Sequence, residues 1–453
     1  MRYHSTRGLA PEASFADALL DGLAPDGGLY MPDAWPALSD ADRAGAGSRP
    51  YADTAEQVLS LFAGDSLPAA AIKAAAARMT AFDHPDVTPL VELEPGLFLL
   101  ELFHGPTAAF KDLAMQMMAP LVEAALSARD ENLLLLTATS GDTGAAAAAA
   151  FAHAARVQLV IFHPEGRVSP VQRRQMTTTG ADNVRALAVR GDFDDCQRLV
   201  KLLLADEGLR KDRRVSSVNS INWGRLAGQI PYYLASGARA GAGARFVVPT
   251  GNFGDAFAGI AAKRMGLAMG PMTAALNAND TLARALDTGR YERRAAVETA
   301  SVSMDVAAPS NFERMVFEAA GREAARTRNL FEVFAERGGV YLPPDILGAV
   351  RDEVNAVSVD DAITAREIAR AWKTYGRVIC PHTAVALHAA RSLPRGGPVI
   401  ALSTAHAAKF PDFVKQALGF EPEAPDRLKA VMDRPEQLEV IDANFEAARA
   451  AVL

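Results

Sequence analysis

The sequence predicts an α/β protein, two-lobed and doubly wound on mostly parallel sheets, with a helical segment at its N-terminal end. Three observations carry that prediction. Short apolar runs without polar alternation recur from Leu97 onward, as strands covered on both faces require. Helical patterns lie between them, and alternating β and α elements build parallel sheets flanked by helices. The length, 453 residues, allows about three domains at roughly 150 residues each, or two large lobes with an appendage.

In chain order, the first 80 or so residues read as a separate, mostly helical segment. It has turn clusters at Pro25-Asp26-Gly27-Gly28 and Ser39-Asp40 and an Ala-rich amphipathic stretch over 67–79. The expected strands are 97–103, 132–139, 157–162, 184–189, 246–249 and 399–403. The expected helices are 112–127, 143–155, 193–205, 223–235, 255–265 and 362–375. The stretch 268–300 reads as polar and irregular, and the last 25 residues as a surface helix. No fixed-period repeat is present.

Composition excludes several classes. With 49% hydrophobic and 22% charged residues the chain is an ordinary globular one. Acidic residues outnumber basic ones, 54 to 47, for a formal charge of −7, so no net cationic field argues for nucleic acid or an anionic membrane. The longest near-continuous apolar run, 144–155, includes His153 and is too short to cross a bilayer. No apolar stretch follows the positive charge of residues 1–8, so no signal peptide is expected. The two cysteines, Cys196 and Cys380, lie far apart. That disfavours a disulfide scaffold and a cysteine-based zinc site, leaves no metal expected, and suits a reducing cytoplasm. Only 9 residues are lysine, which makes each one worth inspection.

Common reaction signatures are missing: no phosphate loop ending Gly-Lys-[Ser/Thr], no His-Glu-x-x-His, no Gly-x-Ser-x-Gly elbow. His163-Pro164-Glu165 opens like a zinc-deaminase signature, but no Pro-Cys-x-x-Cys follows. What stands out is a series of Gly/Ser/Thr/Asn turns after expected strands, the sheet edge where ligands bind in open α/β folds.

Four stretches carry the chemistry. Lys111, after Ala-Ala-Phe, reads as a helix-start lysine reaching solvent, or as a desolvated amine whose lowered pKa makes it a nucleophile toward an aldehyde. The run Thr139-Ser140-Gly141-Asp142-Thr143-Gly144 reads as a plain helix cap, or as a cradle of hydroxyls and free N–H groups for a carboxylate or phosphate; both can hold. Gly251-Asn252-Phe253-Gly254-Asp255 offers a Gly-bracketed nest suited to a phosphate monoester. Asn219-Ser220-Ile221-Asn222-Trp223-Gly224-Arg225 is either a capping segment with a surface arginine or a second convergent anion site.

In order and spacing these stretches resemble the threonine synthases of the longer bacterial and fungal type, within the fold type II pyridoxal-phosphate enzymes. The resemblance covers nearly the whole chain. It runs from Tyr3-His-Ser-Thr-Arg-Gly8 and Asp26-Gly-Gly-Leu-Tyr30 through His104-Gly-Pro-Thr-Ala-Ala-Phe-Lys111-Asp112, Thr139 to Gly144, Gly191-Asp-Phe-Asp-Asp-Cys196, Asn219 to Trp223 and Gly251 to Gly254. It ends at Ser403-Thr-Ala-His406-Ala-Ala-Lys-Phe410. Two departures stand out: Cys380-Pro-His-Thr where the family often has Asp-Pro-His-Thr, and Ala407 in place of a common proline.

The resemblance implies an N-terminal segment over 1–82 and a catalytic region over 83–453, with a small lobe of about 112–239 inserted in the large one. It implies that Lys111 holds pyridoxal 5'-phosphate as a Schiff base and moves protons, and that Gly251, Asn252, Phe253, Gly254 and Asp255 cradle the cofactor phosphate. Asp142 would lie beside the phenolic oxygen and Thr404 would face the pyridine nitrogen. Ser140, Gly141 and Thr143 would hold a substrate carboxylate, and Thr143, Asn219, Ser220 and Arg225 a substrate phosphate. The implied reaction converts O-phospho-L-homoserine and water to L-threonine and phosphate. The rivals are another fold type II enzyme, such as a serine/threonine dehydratase or amino-acid phospholyase, and a non-catalytic protein binding a phosphorylated ligand. A monomer and a homodimer are equally compatible with the sequence, and the part played by His104 stays open.

Overall fold

Two sheets set the frame of this computed structural model, which describes residues 1–211, 213–394 and 396–453. The smaller sheet has five strands, all parallel, in the order Glu439–Asp442, Val184–Arg190, Val157–Pro164, Leu133–Ala138 and Arg214–Ser217. The larger has six, in the order Val354–Ser358, Met272–Leu276, Arg245–Pro249, Val399–Ser403, Leu97–Glu101 and Leu90–Glu94; only the last pairing is antiparallel. Leu133–Ala138 is buried at every position, as its run of four leucines demands of a strand with helices on both faces.

The N-terminal helices Phe15–Asp21, Tyr51–Ala63 and Ala69–Ala77 are present, with a two-stranded ribbon joining Tyr3–Ser5 to Tyr30–Pro32. The segment is not separate, however. Its apolar side chains belong to the same core as the helix Lys111–Arg129 and the large sheet. Arg7 also clamps the buried Glu313 carboxylate through Nε and Nη2 at 3.0 and 2.9 Å.

Three further expectations are corrected. The single helix over 223–235 is two, Trp223–Ala227 and Ile230–Ala240. Pro231 has no N–H to donate into a preceding turn, so the chain restarts there. At the junction Gly228 packs so tightly that an added Cβ would lie 2.8 Å from Ala114 Cα. The stretch 268–300 is not irregular: it supplies the fully buried strand Met272–Leu276 and the helix Thr281–Thr288. The last 25 residues are not one surface helix. They include the edge strand Glu439–Asp442 of the small sheet and the helix Phe445–Val452, which buries Ala448, Ala451 and Val452. That edge strand lies outside the 112–239 range from which the other four strands come.

Candidate active site

A cavity of about 360 Å³ opens at the strand ends between the two sheets, lined by stretches far apart in the chain, from Phe110 to Thr404. Lys111 begins the helix Lys111–Arg129, and the turn before it is tied down from both sides. Asp112, fully buried, accepts the Thr107 N–H at 2.8 Å and the Thr107 hydroxyl at 2.7 Å. The Phe110 N–H donates to the Thr404 carbonyl at 2.8 Å, which fixes the helix start beside the end of Val399–Ser403. The Lys111 amine is buried, 4.6 Å from the centre of the Phe110 ring. Burial lowers its pKa, Asp142 raises it, and Arg225 and Lys409 lower it further; the net shift is downward.

After Leu133–Ala138 the chain turns into the helix Asp142–Phe151 through Gly141, whose φ is +133°. The Thr139 hydroxyl accepts the N–H groups of Gly141 and Gly144, both at 2.9 Å. The Gly141 N–H is therefore bonded internally, and Gly141 is not among the residues that line the cavity. Its lack of a side chain serves packing: an added Cβ would sit 2.3 Å from the Gln172 side chain. Ser140, Asp142 and Thr143 do line the cavity.

The 251–255 turn follows Arg245–Pro249. A Cβ at Gly251 would meet the Ser303 carbonyl at 2.8 Å, and Phe253 takes the left-handed conformation at φ +64° before the helix Gly254–Arg264 starts. Asp255 accepts hydrogen bonds from the Tyr232 and Tyr233 hydroxyls, while its Oδ2 has no partner among the described residues. Burial pushes this carboxyl up to about 6 against those bonds and the charges of Lys111 and Arg225.

Asn219, Ser220 and Arg225 meet the same cavity. Asn222 caps the short helix by accepting the Gly224 N–H at 2.9 Å, which carries Arg225 inward. Arg225 is 2% exposed, donates through Nη1 to the Val218 carbonyl at 3.0 Å, and its Nε has no partner among the described residues. Burial lowers its pKa to about 10, still fully cationic at neutral pH. A buried, incompletely satisfied guanidinium in a cavity wall is a site for an anion.

Thirteen of the fourteen expected site residues thus line one cavity, Gly141 being the exception. His104 instead pairs with Glu101 at 2.9 Å. Cys380 caps the helix Pro381–Ser392, its sulfur accepting the Thr383 N–H at 3.4 Å. Sequence reasoning missed Lys409, whose Nζ lies 2.8 Å from Asp142 Oδ1 and 2.8 Å from the Thr107 carbonyl. It also missed His382, whose Nε2 accepts the Ser303 N–H at 3.2 Å and whose pKa burial pushes down to about 4. Both sat in quoted motifs, and Lys409 among only 9 lysines.

The residues fit an aldehyde cofactor bearing a phosphate: a buried amine of lowered pKa and a glycine turn with no room for side chains share one cavity. A family profile described as pyridoxal-phosphate dependent enzyme matches residues 81–405, so fold and site define an enzyme of that class. Profiles for the threonine synthase N terminus and C-terminal region match 2–79 and 383–452. The chain is 40% identical to threonine synthase of Pseudomonas aeruginosa, covering 100% of this chain and 98% of that one. The solved, pyridoxal-phosphate-bound threonine synthase of Brucella melitensis is 43% identical with a TM-score of 0.96, covering 100% and 98%. The yeast enzyme is 34% identical with a TM-score of 0.93, over 100% and 98%. The chain belongs to the threonine synthase family.

Proposed function

We propose that this enzyme converts O-phospho-L-homoserine and water to L-threonine and inorganic phosphate. The observation that carries the reading is one cavity holding a buried amine, a glycine turn and a second anion site around Arg225. A dehydratase needs no such second site. Lys111, Asp142, Gly251, Asn252, Phe253, Gly254, Asp255 and Thr404 hold the cofactor. When bound, pyridoxal phosphate supplies an electron sink for the carbanion formed at the substrate α-carbon.

The chain's own groups do the rest. Ser140 and Thr143, at the N-terminus of Asp142–Phe151, orient the substrate carboxylate, where free N–H groups favour an anion. Lys111 Nζ, kept weakly basic by burial, takes and returns protons on the substrate carbons. Arg225, with Asn219, Ser220 and Thr143, holds the phosphate as it leaves and while water adds. The buried free thiols Cys196 and Cys380 support the reading that the protein works in a reducing cytoplasm.

The test compares phosphate release from phosphohomoserine with ammonia release from threonine. The proposal requires the first to dominate. Arg225→Ala is expected to retain the cofactor absorbance while KM for phosphohomoserine rises about 10- to 100-fold, the worth of a hydrogen bond to a charged group. Lys111→Ala is expected to lose both the bound-cofactor spectrum and turnover; retention of both would contradict the assignment.

A further inference from the structure

Two lysines face one carboxylate at the floor of the cavity. Lys409 is 0% exposed, and its amine sits 2.8 Å from Asp142 Oδ1 and 2.8 Å from the Thr107 carbonyl. Lys111 lies 3.4 Å from the other oxygen, Oδ2, and has no second acceptor among the described residues. Asp142 takes two more bonds, from Gln172 Nε2 to Oδ1 at 2.9 Å and from the Ser303 hydroxyl to Oδ2 at 3.3 Å. One negative charge neutralises one buried ammonium, and a second ammonium beside it would be left uncompensated. Contact length and the extra carbonyl assign the charge to Lys409.

We infer that Lys409 is a positioning residue: by claiming Asp142 for itself, it leaves Lys111 as the uncharged amine. This rests on the reading of Lys111 as the cofactor-bearing residue. The other charged or titratable groups acting on Lys111 are Arg225, Asp255 and His382. Arg225 opposes protonation, Asp255 favours it, and His382 is neutral at working pH, its Nε2 already accepting a hydrogen bond. Asp112, which also feels the Lys409 charge, is held by hydrogen bonds from Thr107. The direction of the Lys111 pKa agrees: burial, Lys409 and Arg225 together outweigh Asp142. Asp142 itself, which burial alone would raise, is held well below the usual carboxylate range by Lys409 and then Lys111.

The test uses the full-length chain stripped of cofactor and labelled with limiting acetic anhydride across pH. Lys111 acetylation is read by mass spectrometry against Lys429, whose side chain is 54% exposed. Lys409→Met makes Lys111 the sole ammonium partner of Asp142. Its labelling ratio at pH 7 is expected to fall at least about tenfold, with a midpoint at least about one pH unit higher. Asp142→Asn/Lys409→Met is expected to restore the ratio to within about threefold of the parent, and Lys409→Arg to preserve it. An unchanged ratio in Lys409→Met, or a double variant as low as the single, overturns the inference. Should Lys409→Met not fold, Asp142→Asn answers from the other side: its ratio is expected to stay at or above the parent's, and a tenfold fall overturns the inference. Borohydride reduction of the holoenzyme and peptide mapping test the cofactor's attachment to Lys111 independently.

Discussion

Gly251 shows how one residue without a side chain sets the shape of the cavity. A methyl group there would be 2.8 Å from a backbone carbonyl, that of Ser303, and backbone cannot swing aside as a flexible side chain does. Gly251→Ala is expected to shift the turn and weaken cofactor binding about 10- to 100-fold, the equivalent of about 1–3 kcal/mol of overpacking strain, read by fluorescence titration of pyridoxal phosphate into the stripped protein. At this scale most of the site was legible, because lysine, arginine and the Gly/Ser/Thr turns carry their chemistry locally. Lys409 was not, since its partner Thr107 is 302 positions away in the chain and nothing near either residue announces the contact. The bond from the Gly141 N–H to the Thr139 hydroxyl was hidden for a related reason: only the turn's three-dimensional course reveals it.

Among the elements, strands with their own apolar signature were readable and strands defined by their neighbours were not. Leu133–Ala138 and Val399–Ser403 announce themselves through continuous apolar runs. Arg214–Ser217, Val354–Ser358 and Glu439–Asp442 are short and part polar, and hydrogen bonding to an adjacent strand is what extends them. Glu439–Asp442 shows what such a strand contributes. Its Ile441 is 6% exposed, pairs with Val189 of the neighbouring strand and belongs to the same buried apolar cluster as Leu187 and Val189 of the small sheet. Ile441→Ala is expected to lower unfolding stability by about 2–4 kcal/mol in urea titrations. Since Ile441 does not reach the cavity, kcat should be unaffected; stability unchanged by the substitution would mean that the strand does not seal the sheet.

Across the whole molecule, buried titratable groups of opposite sign bias stability in opposite directions with pH. His382 and His406 are held neutral, pushed down by burial to about 4, whereas an unfolded histidine titrates near about 6.5. The folded protein therefore binds fewer protons between those values, and stability falls as pH drops through that window. Burial pushes Asp112 and Asp255 up to about 6, against about 3.9 when unfolded. Here the folded protein binds more protons, and stability rises as pH drops from about 6 toward 4. The two pairs nearly cancel in that range. His406→Gln removes one side of the balance, so relative to the parent it is expected to gain about 2–3 kcal/mol between pH 7 and pH 4, measured by urea unfolding at each pH. A constant difference between the two proteins would show that His406 is not held neutral.

The amino-acid sequence by itself determined the α/β class, the position of the candidate lysine and the glycine turn, and membership of a family, because each is written in short local patterns of apolarity, backbone freedom and functional group. The tertiary structure decided which charges meet. Whether Lys111 is an ammonium or an amine depends on how two buried lysines divide one aspartate. That division is settled by distances of a few ångströms between residues far apart in the chain, where low polarity makes every uncompensated charge expensive.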